Sequence, residues 1–151
     1  MRLEEEIKQP KFRNEHHKLA VNLIFTYGWF TTLNSKLLCE YNLTSSQFNI
    51  LRILRGQYPN PATINMLKER MLDKMSDASR LVERLRLKGL VKRELSSSNR
   101  RQVDVIITKK GLDILSQMDA LNNHQDGILK GLSETEAKNM NDLLDKMRNR
   151  D

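Results

Sequence analysis

Apolar positions along this chain recur first at a helical period, then at a strand period, then at a helical one again. Between residues 13 and 40, Leu19, Leu23, Tyr27 and Phe30 fall three or four apart, the spacing of one helix face. Thr44 with Gln47 three residues on matches a capping box, in which each side chain satisfies a free backbone N–H of the other. It predicts a second helix, "SQFNILRILRG", with Phe48, Leu51 and Leu54 on one face and Gly56 as its stop. "YPNPAT" reads as a loop because proline cannot continue a helix. Thr63 can cap a short third helix, "INMLKERM", and after a break at Leu72–Lys74 a fourth runs to Lys88, ended by Gly89. Leu90–Leu95 and Val103–Thr108, β-branched or alternating in part, read as strands. Thr108 then caps a long helix from Lys109 to about Gly127. A second capping box, Ser133 with Glu136, opens a last helix with Met140, Leu143, Leu144 and Met147 on one face. There is no internal repeat and no low-complexity linker.

Two short helices with a tight break, followed by a two-stranded ribbon, is the order of a winged helix-turn-helix. The expected fold is mostly α: a winged helix-turn-helix with a two-stranded β-wing, flanked by N- and C-terminal helices. At 100° per residue, Ala78, Leu81, Val82 and Leu85 share one side of the fourth helix. Ser76 and Arg80 fall almost opposite, with Glu83 beside them and Asp77 and Arg84 on the flank. A helix that reads the major groove needs such a face, because short polar side chains let it enter and Arg can bond two acceptors on guanine. A surface helix with a solvated polar face fits the same pattern. Asp77 and Glu83 count against DNA unless they read cytosine or orient Arg80 and Arg84. The loop "SSSNRRQ" between the strands lifts Arg100 and Arg101 away from the body. As a wing it could reach a minor groove or phosphates; otherwise it is an ordinary hairpin loop.

Charge favours the polyanion reading. The chain of 151 residues has a formal net charge of +7. Residues 80–110 hold ten bases (Arg80, Arg84, Arg86, Lys88, Lys92, Arg93, Arg100, Arg101, Lys109 and Lys110) against Glu83, Glu94 and Asp104. The whole excess therefore lies in residues 80–110, and a local basic field points to a polyanion better than diffuse basicity does. A solubilising surface usually mixes both signs. The apolar run "LAVNLIFTYGWFTTL" is broken by polar residues and too short to span a bilayer. Interfacial membrane binding is disfavoured because the basic field lies elsewhere. The N-terminus "MRLEEEIKQPKFRNEHHK" shows no secretory signal, and one cysteine, Cys39, excludes an intrachain disulfide. Both favour a reducing, cytoplasmic setting.

"LTSSQFNILRIL", "DASRLVERLRLKGLVKRE" and "NRRQVDVIITKKG" together resemble the MarR family of bacterial transcriptional regulators. The resemblance runs from about Leu19 to Leu132. It implies a single domain over 1–151, with a winged-helix lobe at 44–110 and dimerisation helices at 13–40 and 111–150. It further implies a homodimer and a ligand crevice between the dimer helices and the lobe. In the family an Asp-Arg-Arg motif marks the wing; here those positions are Asn99, Arg100 and Arg101. Asn99 can accept a hydrogen bond but cannot form an ion pair. Independently, the apolar faces outside the lobe need burial, either against each other within one chain or across a two-fold axis.

Other signals are weaker. Adjacent His16 and His17 point to different sides of a helix, and with His124 they make no metal-ligand pattern. Cys39, at the end of an apolar helix, reads as a packed, inert thiol rather than a redox sensor. Tyr27, Trp29, Phe30 and Tyr41 could line a crevice for a small aromatic or anionic effector, although aromatics at helical spacing are commonly core. No phosphate loop, nucleophile elbow or paired-His motif suggests an enzyme, and no cofactor is implied. The reading is a homodimeric, sequence-specific regulator of double-stranded DNA: a ligand-responsive repressor on a pseudo-palindromic operator. Its expected DNA contacts are Ser76, Asp77, Ser79 and Arg80 to bases; Arg84, Lys92, Arg93 and Lys109 to phosphates; and Asn99, Arg100 and Arg101 in the wing. The alternatives are a winged-helix protein–protein adaptor, or a redox- or metal-switched sensor on the same fold.

Overall fold

Side-chain caps set where most of the helices begin. In the computed structural model, which describes residues 1–95, 103–119 and 127–149, a short α1 (Leu3–Glu6) precedes α2 (Glu15–Glu40). Asn14 opens α2 by accepting the His17 backbone N–H at 2.9 Å. The Thr44–Gln47 capping box starts α3 (Ser45–Gln57) as expected. Thr63 accepts the Met66 N–H at the head of α4 (Ile64–Arg70), and Asp77 does the same for Arg80 in α5 (Ala78–Leu87). Strands β2 (Val91–Leu95) and β3 (Val103–Ile107) follow, then α6 (Lys109–Asp119) behind Thr108, whose hydroxyl accepts the Gly111 N–H. The Ser133–Glu136 box opens α7 (Glu134–Arg148).

Four details differ from the sequence expectations. The loop "YPNPAT" contributes a two-residue strand, β1 (Ala62–Thr63), so the sheet has three antiparallel strands in the order β1-β3-β2 rather than two. Its register sets Ala62 opposite Val105 and Thr63 opposite Asp104, a pairing made by residues 43 and 41 apart that local pattern cannot show. The brief α1 was not expected. Gly56 lies inside α3, and the helix stops instead at Gln57, because a residue before proline, here Tyr58, is pushed out of the helical region. Lastly, α5 starts at Ala78, leaving Ser76 outside it and Asp77 at its cap.

Gly89 does end its helix as expected. At φ +72° it sits in the left-handed region, and the N–H groups of Gly89 and Leu90 bond back to Arg86 and Leu85.

The chain divides into two units, Met1–Leu112 and Asp113–Asp151. In the first, the core joins Ile50, Leu51 and Leu54 of α3, Leu67 of α4, Ala78, Val82 and Leu85 of α5, and Val91, Val105 and Ile107 of the sheet, all essentially without solvent contact. Both α3 and the sheet pack on α5 or its strand partners, which fixes that helix from behind. By contrast, α2 buries only Asn34 and Leu38 along 26 residues. Its periodic face is not covered: Leu19 and Tyr27 are exposed, and Leu23 and Phe30 are half-buried. In the second unit α7 buries no residue, and Met140, Leu143 and Met147 are exposed.

Candidate nucleic-acid interface

The site is built on α5. Ala78, Val82 and Leu85 are buried, while Ser79, Arg80 and Arg84 of the same helix are exposed. Apolar positions at i, i+4 and i+7 therefore anchor one face, and the opposite face carries hydroxyl and guanidinium groups into solvent. The exposed polar face expected on this helix is present, although not all of its expected members lie on it.

Asp77 is the cap. Its carboxylate accepts the Arg80 backbone N–H at 3.1 Å and so supplies a partner for a free donor of the first turn. Ser76 lies in the turn before the helix, where its hydroxyl donates to Asp73 and lies 3.3 Å from that of Ser46. The Ser76 hydroxyl, and then the Met75 backbone N–H, hold the Asp73 carboxyl below its ordinary value.

Glu83 does not orient Arg80 or Arg84. It takes two bonds from Arg86, at 2.7 and 3.0 Å, and lies 3.6 Å from Arg93 of β2. The Arg86 guanidinium is the main reason its carboxyl is held below the usual range. Arg93, an expected phosphate contact, is thereby paired with α5 although exposed, as Lys92 and Lys109 are. Asn99, Arg100, Arg101 and His124 lie outside the described residues.

One basic residue has a role that charge counting missed. The Lys88 ammonium, at the C-cap of α5, donates to the Asn42 carbonyl and, at 3.0 Å, to Oε1 of Gln47. Gln47 is buried and belongs to the capping box of α3. The Lys88 carbonyl in turn accepts from the Lys110 ammonium at 3.0 Å. The end of α5 is thus tied both to the start of α3 and to α6. The signal for this was not in any local pattern, since Lys88 and Gln47 are 41 residues apart.

Next to this tether is a pocket of about 710 Å³, lined by Leu38 and Cys39 of α2, Gln47 of α3, and Arg84, Leu87 and Lys88 at the end of α5, among others. Tyr27, Phe30 and Tyr41, expected at a ligand crevice, do not line it. The reason is that α2 meets the lobe through its C-terminal end, where Leu38 is buried, and not through its aromatic middle. Cys39 is not the packed thiol that the sequence suggested. It is exposed and faces the pocket. His17 accepts the Arg13 N–H through Nδ1 at 3.2 Å and meets Phe12 edge-on, a local contact at the start of α2. Among the described residues, no group of three or more His, Cys, Asp or Glu is placed to hold a metal ion, and no helix is long and apolar enough to cross a membrane.

One comparison with known proteins matches the lobe, and the others span most of the chain. The MarR family model matches residues 43–103. The HTH-type transcriptional regulator MgrA of Staphylococcus aureus is 29% identical over 141 residues, covering 89% of this chain and 92% of that protein. A MarR transcription factor from Planctomyces limnophilus superposes with a TM-score of 0.68 at 25% identity, covering 91% of this chain and 98% of the other. A mutant of the E. coli MarR protein in complex with operator DNA reaches a TM-score of 0.78 at 24% identity, covering 92% and 99%.

Proposed function

We propose that the protein, whose residues 43–103 match the MarR family model, is a sequence-specific, duplex-DNA-binding transcriptional regulator. The observation that carries this reading is the division of α5 into a buried face and an exposed Ser79–Arg80–Arg84 face, beside the strand β2 that carries Lys92 and Arg93. The tether of Lys88 and the packing of α3 hold that face in place. Ser79 and Arg80 are assigned to bases; Lys92, Lys109 and the wing residues Arg100 and Arg101 are assigned to phosphates or the minor groove. Asp77 and Ser76 are reassigned to support: they start α5 and close the turn before it. The regulator acts in the cytoplasm and performs no catalysis.

The exposed apolar side chains of α2 and α7 fit a second copy of the chain. Leu19, Ile24 and Tyr27 on one, and Leu143 and Met147 on the other, are more than two-fifths exposed, a state that favours association. A two-fold dimer implies a pseudo-palindromic operator. The pocket at the end of α5 suits a small aromatic or anionic effector, since Arg84 and Lys88 supply positive charge and Leu38 and Leu87 apolar contact. An effector there touches the helix assigned to bases, which would make the protein a ligand-released repressor.

Equilibrium binding to duplex DNA over a series of salt concentrations tests the core of this reading. The expected result is affinity falling by ~0.9 log units per neutralised phosphate for each log unit of salt. Binding indifferent to salt, or no duplex binding at all, would leave the adaptor reading standing instead.

A further inference from the structure

The turn that leads into α5 carries two large apolar side chains that the fold does not use. Leu72 is 86% exposed and Met75 is 93% exposed. Single apolar side chains on a surface are ordinary, but these two sit in a segment whose polar groups are consumed internally. The Leu72 N–H donates to Asn49 at 2.9 Å, and the Met75 N–H to Asp73 at 3.0 Å. The Ser76 hydroxyl closes on the same Asp73, and the Lys74 ammonium reaches the Glu69 carbonyl. A turn held by these bonds commits its Asp, Ser and Lys to partners within the chain and leaves its apolar side chains in solvent without one.

What covers them is constrained by what lies next in the chain. Met75 is three residues before the first turn of α5, where Ser79 and the Arg80 guanidinium are exposed. An apolar protein patch would satisfy Met75 and leave Arg80 without a partner. The major groove of duplex DNA satisfies both, because it presents acceptors for Arg and, at each thymine, one apolar group, the 5-methyl. The N-terminal residues of such a helix are also the ones that enter the groove.

We propose that Met75, together with Leu72, reads the 5-methyl group of thymine next to the base pairs met by Ser79 and Arg80. This rests on the DNA-binding reading above. It makes the turn, and not only the helix, a determinant of specificity.

The test begins by selecting a binding site for the full-length protein from a random duplex library. Each thymine of one half-site is then replaced singly by deoxyuracil, which removes the methyl and leaves the pairing edge intact. Affinities are measured for the wild type, Met75→Ala and Leu72→Ala, whose substitutions lie on exposed side chains. One or two replacements should weaken wild-type binding about fourfold, the effect of exposing one methyl group, and the same replacements should have little effect on Met75→Ala or Leu72→Ala. Equal losses for wild type and both variants, or a selected site whose half-sites hold no thymine, overturn the proposal while leaving DNA binding intact. Failure to bind any duplex overturns both. A wild-type dimer that becomes monomeric in Met75→Ala would assign the patch to a second copy of the chain and also overturn it.

Discussion

The carboxylate of Asp77 accepts the backbone N–H of Arg80 at 3.1 Å, so an acid flanking the exposed face of α5 is committed to starting that helix. Losing a cap of this type costs about 1 kcal/mol, with a range of about 0.5–2. Asp77→Ala should therefore lower unfolding stability by that amount, and Asp77→Asn, which still accepts the bond, should lose little. Urea denaturation measures both. If Asp77→Asn instead changes which duplex is selected, the carboxylate reads a base and is more than a cap.

Lysines close together in sequence should behave differently toward salt. Lys88 is held by Gln47 and Asn42, while Lys92 is exposed on β2. Lys88→Met leaves a buried amide with one partner fewer and should cost about 1–2 kcal/mol of stability, with the salt slope of DNA binding unchanged. Lys92→Ala should leave stability alone and reduce the slope by ~0.9. Paired unfolding and binding measurements separate the two roles; a slope lowered equally by both substitutions would show that Lys88 leaves its tether to meet phosphate.

These roles show which parts of the molecule could be read from sequence. Thr44 with Gln47, Thr63, Gly89, and Ser133 with Glu136 act within one turn of themselves, so their chemistry is visible as spacing. The buried side of α5 was visible for the same reason, through Ala78, Val82 and Leu85. Strand β1 was not, because two residues become a strand only when Val105 and Asp104 arrive to pair with them. Nor was the pairing of Glu83 with Arg93, which depends on where β2 lies beside α5. Charge counting placed all ten bases in one field but could not tell that Lys88, Lys110, Arg86 and Arg93 already have partners within the chain. The pocket escaped because periodicity shows which face of α2 is apolar and not which end meets the lobe.

The cap of α7 should respond to acid. Glu136 accepts the Ser133 backbone N–H and hydroxyl, each at 2.8 Å, and these bonds hold its carboxyl below the ordinary value of 4.5. A carboxyl with a depressed folded value contributes stability above its unfolded value and loses that contribution as pH falls through the folded one. The cap should therefore be intact above about pH 4.5 and weaken below it. An NMR titration of the Glu136 carboxyl should find a midpoint below 4.5. In Glu136→Gln, whose amide oxygen accepts at any pH, the helical signals of α7 should no longer move with this titration.

Dimer formation should depend on apolar side chains that the single chain leaves exposed. Leu143 of α7 is 66% exposed, so Leu143→Glu has little packing to disturb in one chain but places a charge in the interface proposed here. Sedimentation should show the wild type as a dimer and Leu143→Glu as a folded monomer or a dimer weakened at least tenfold. Deleting residues 133–151 should have the same effect. A truncated protein that remains a stable dimer would remove α7 from the interface.

The two kinds of arginine should separate by what their loss does to specificity. Arg80 is exposed on the face of α5 opposite Ala78, Val82 and Leu85, on a helix whose start is fixed by Asp77 and whose end is fixed by Lys88. A side chain carried on a helix held that firmly can discriminate base edges, because a wrong base leaves its donors unpaired. Arg80→Ala should cost roughly 1–3 kcal/mol on a selected site and much less on random duplex. Arg101, in the loop that the sequence suggests as a wing, is expected to act through shape and charge. Arg101→Ala should weaken binding on most sequences, with an added loss where a narrow A·T-rich minor groove flanks the half-site. Asn99→Asp should tighten binding slightly by giving Arg101 an ionic partner, against the repulsion of a new carboxylate near phosphate. Competition between selected and random duplex at one salt concentration decides among these outcomes. Equal losses on both duplexes for Arg80→Ala would mean that α5 does not read bases, and no loss for Arg101→Ala would reduce the wing to a solvated loop.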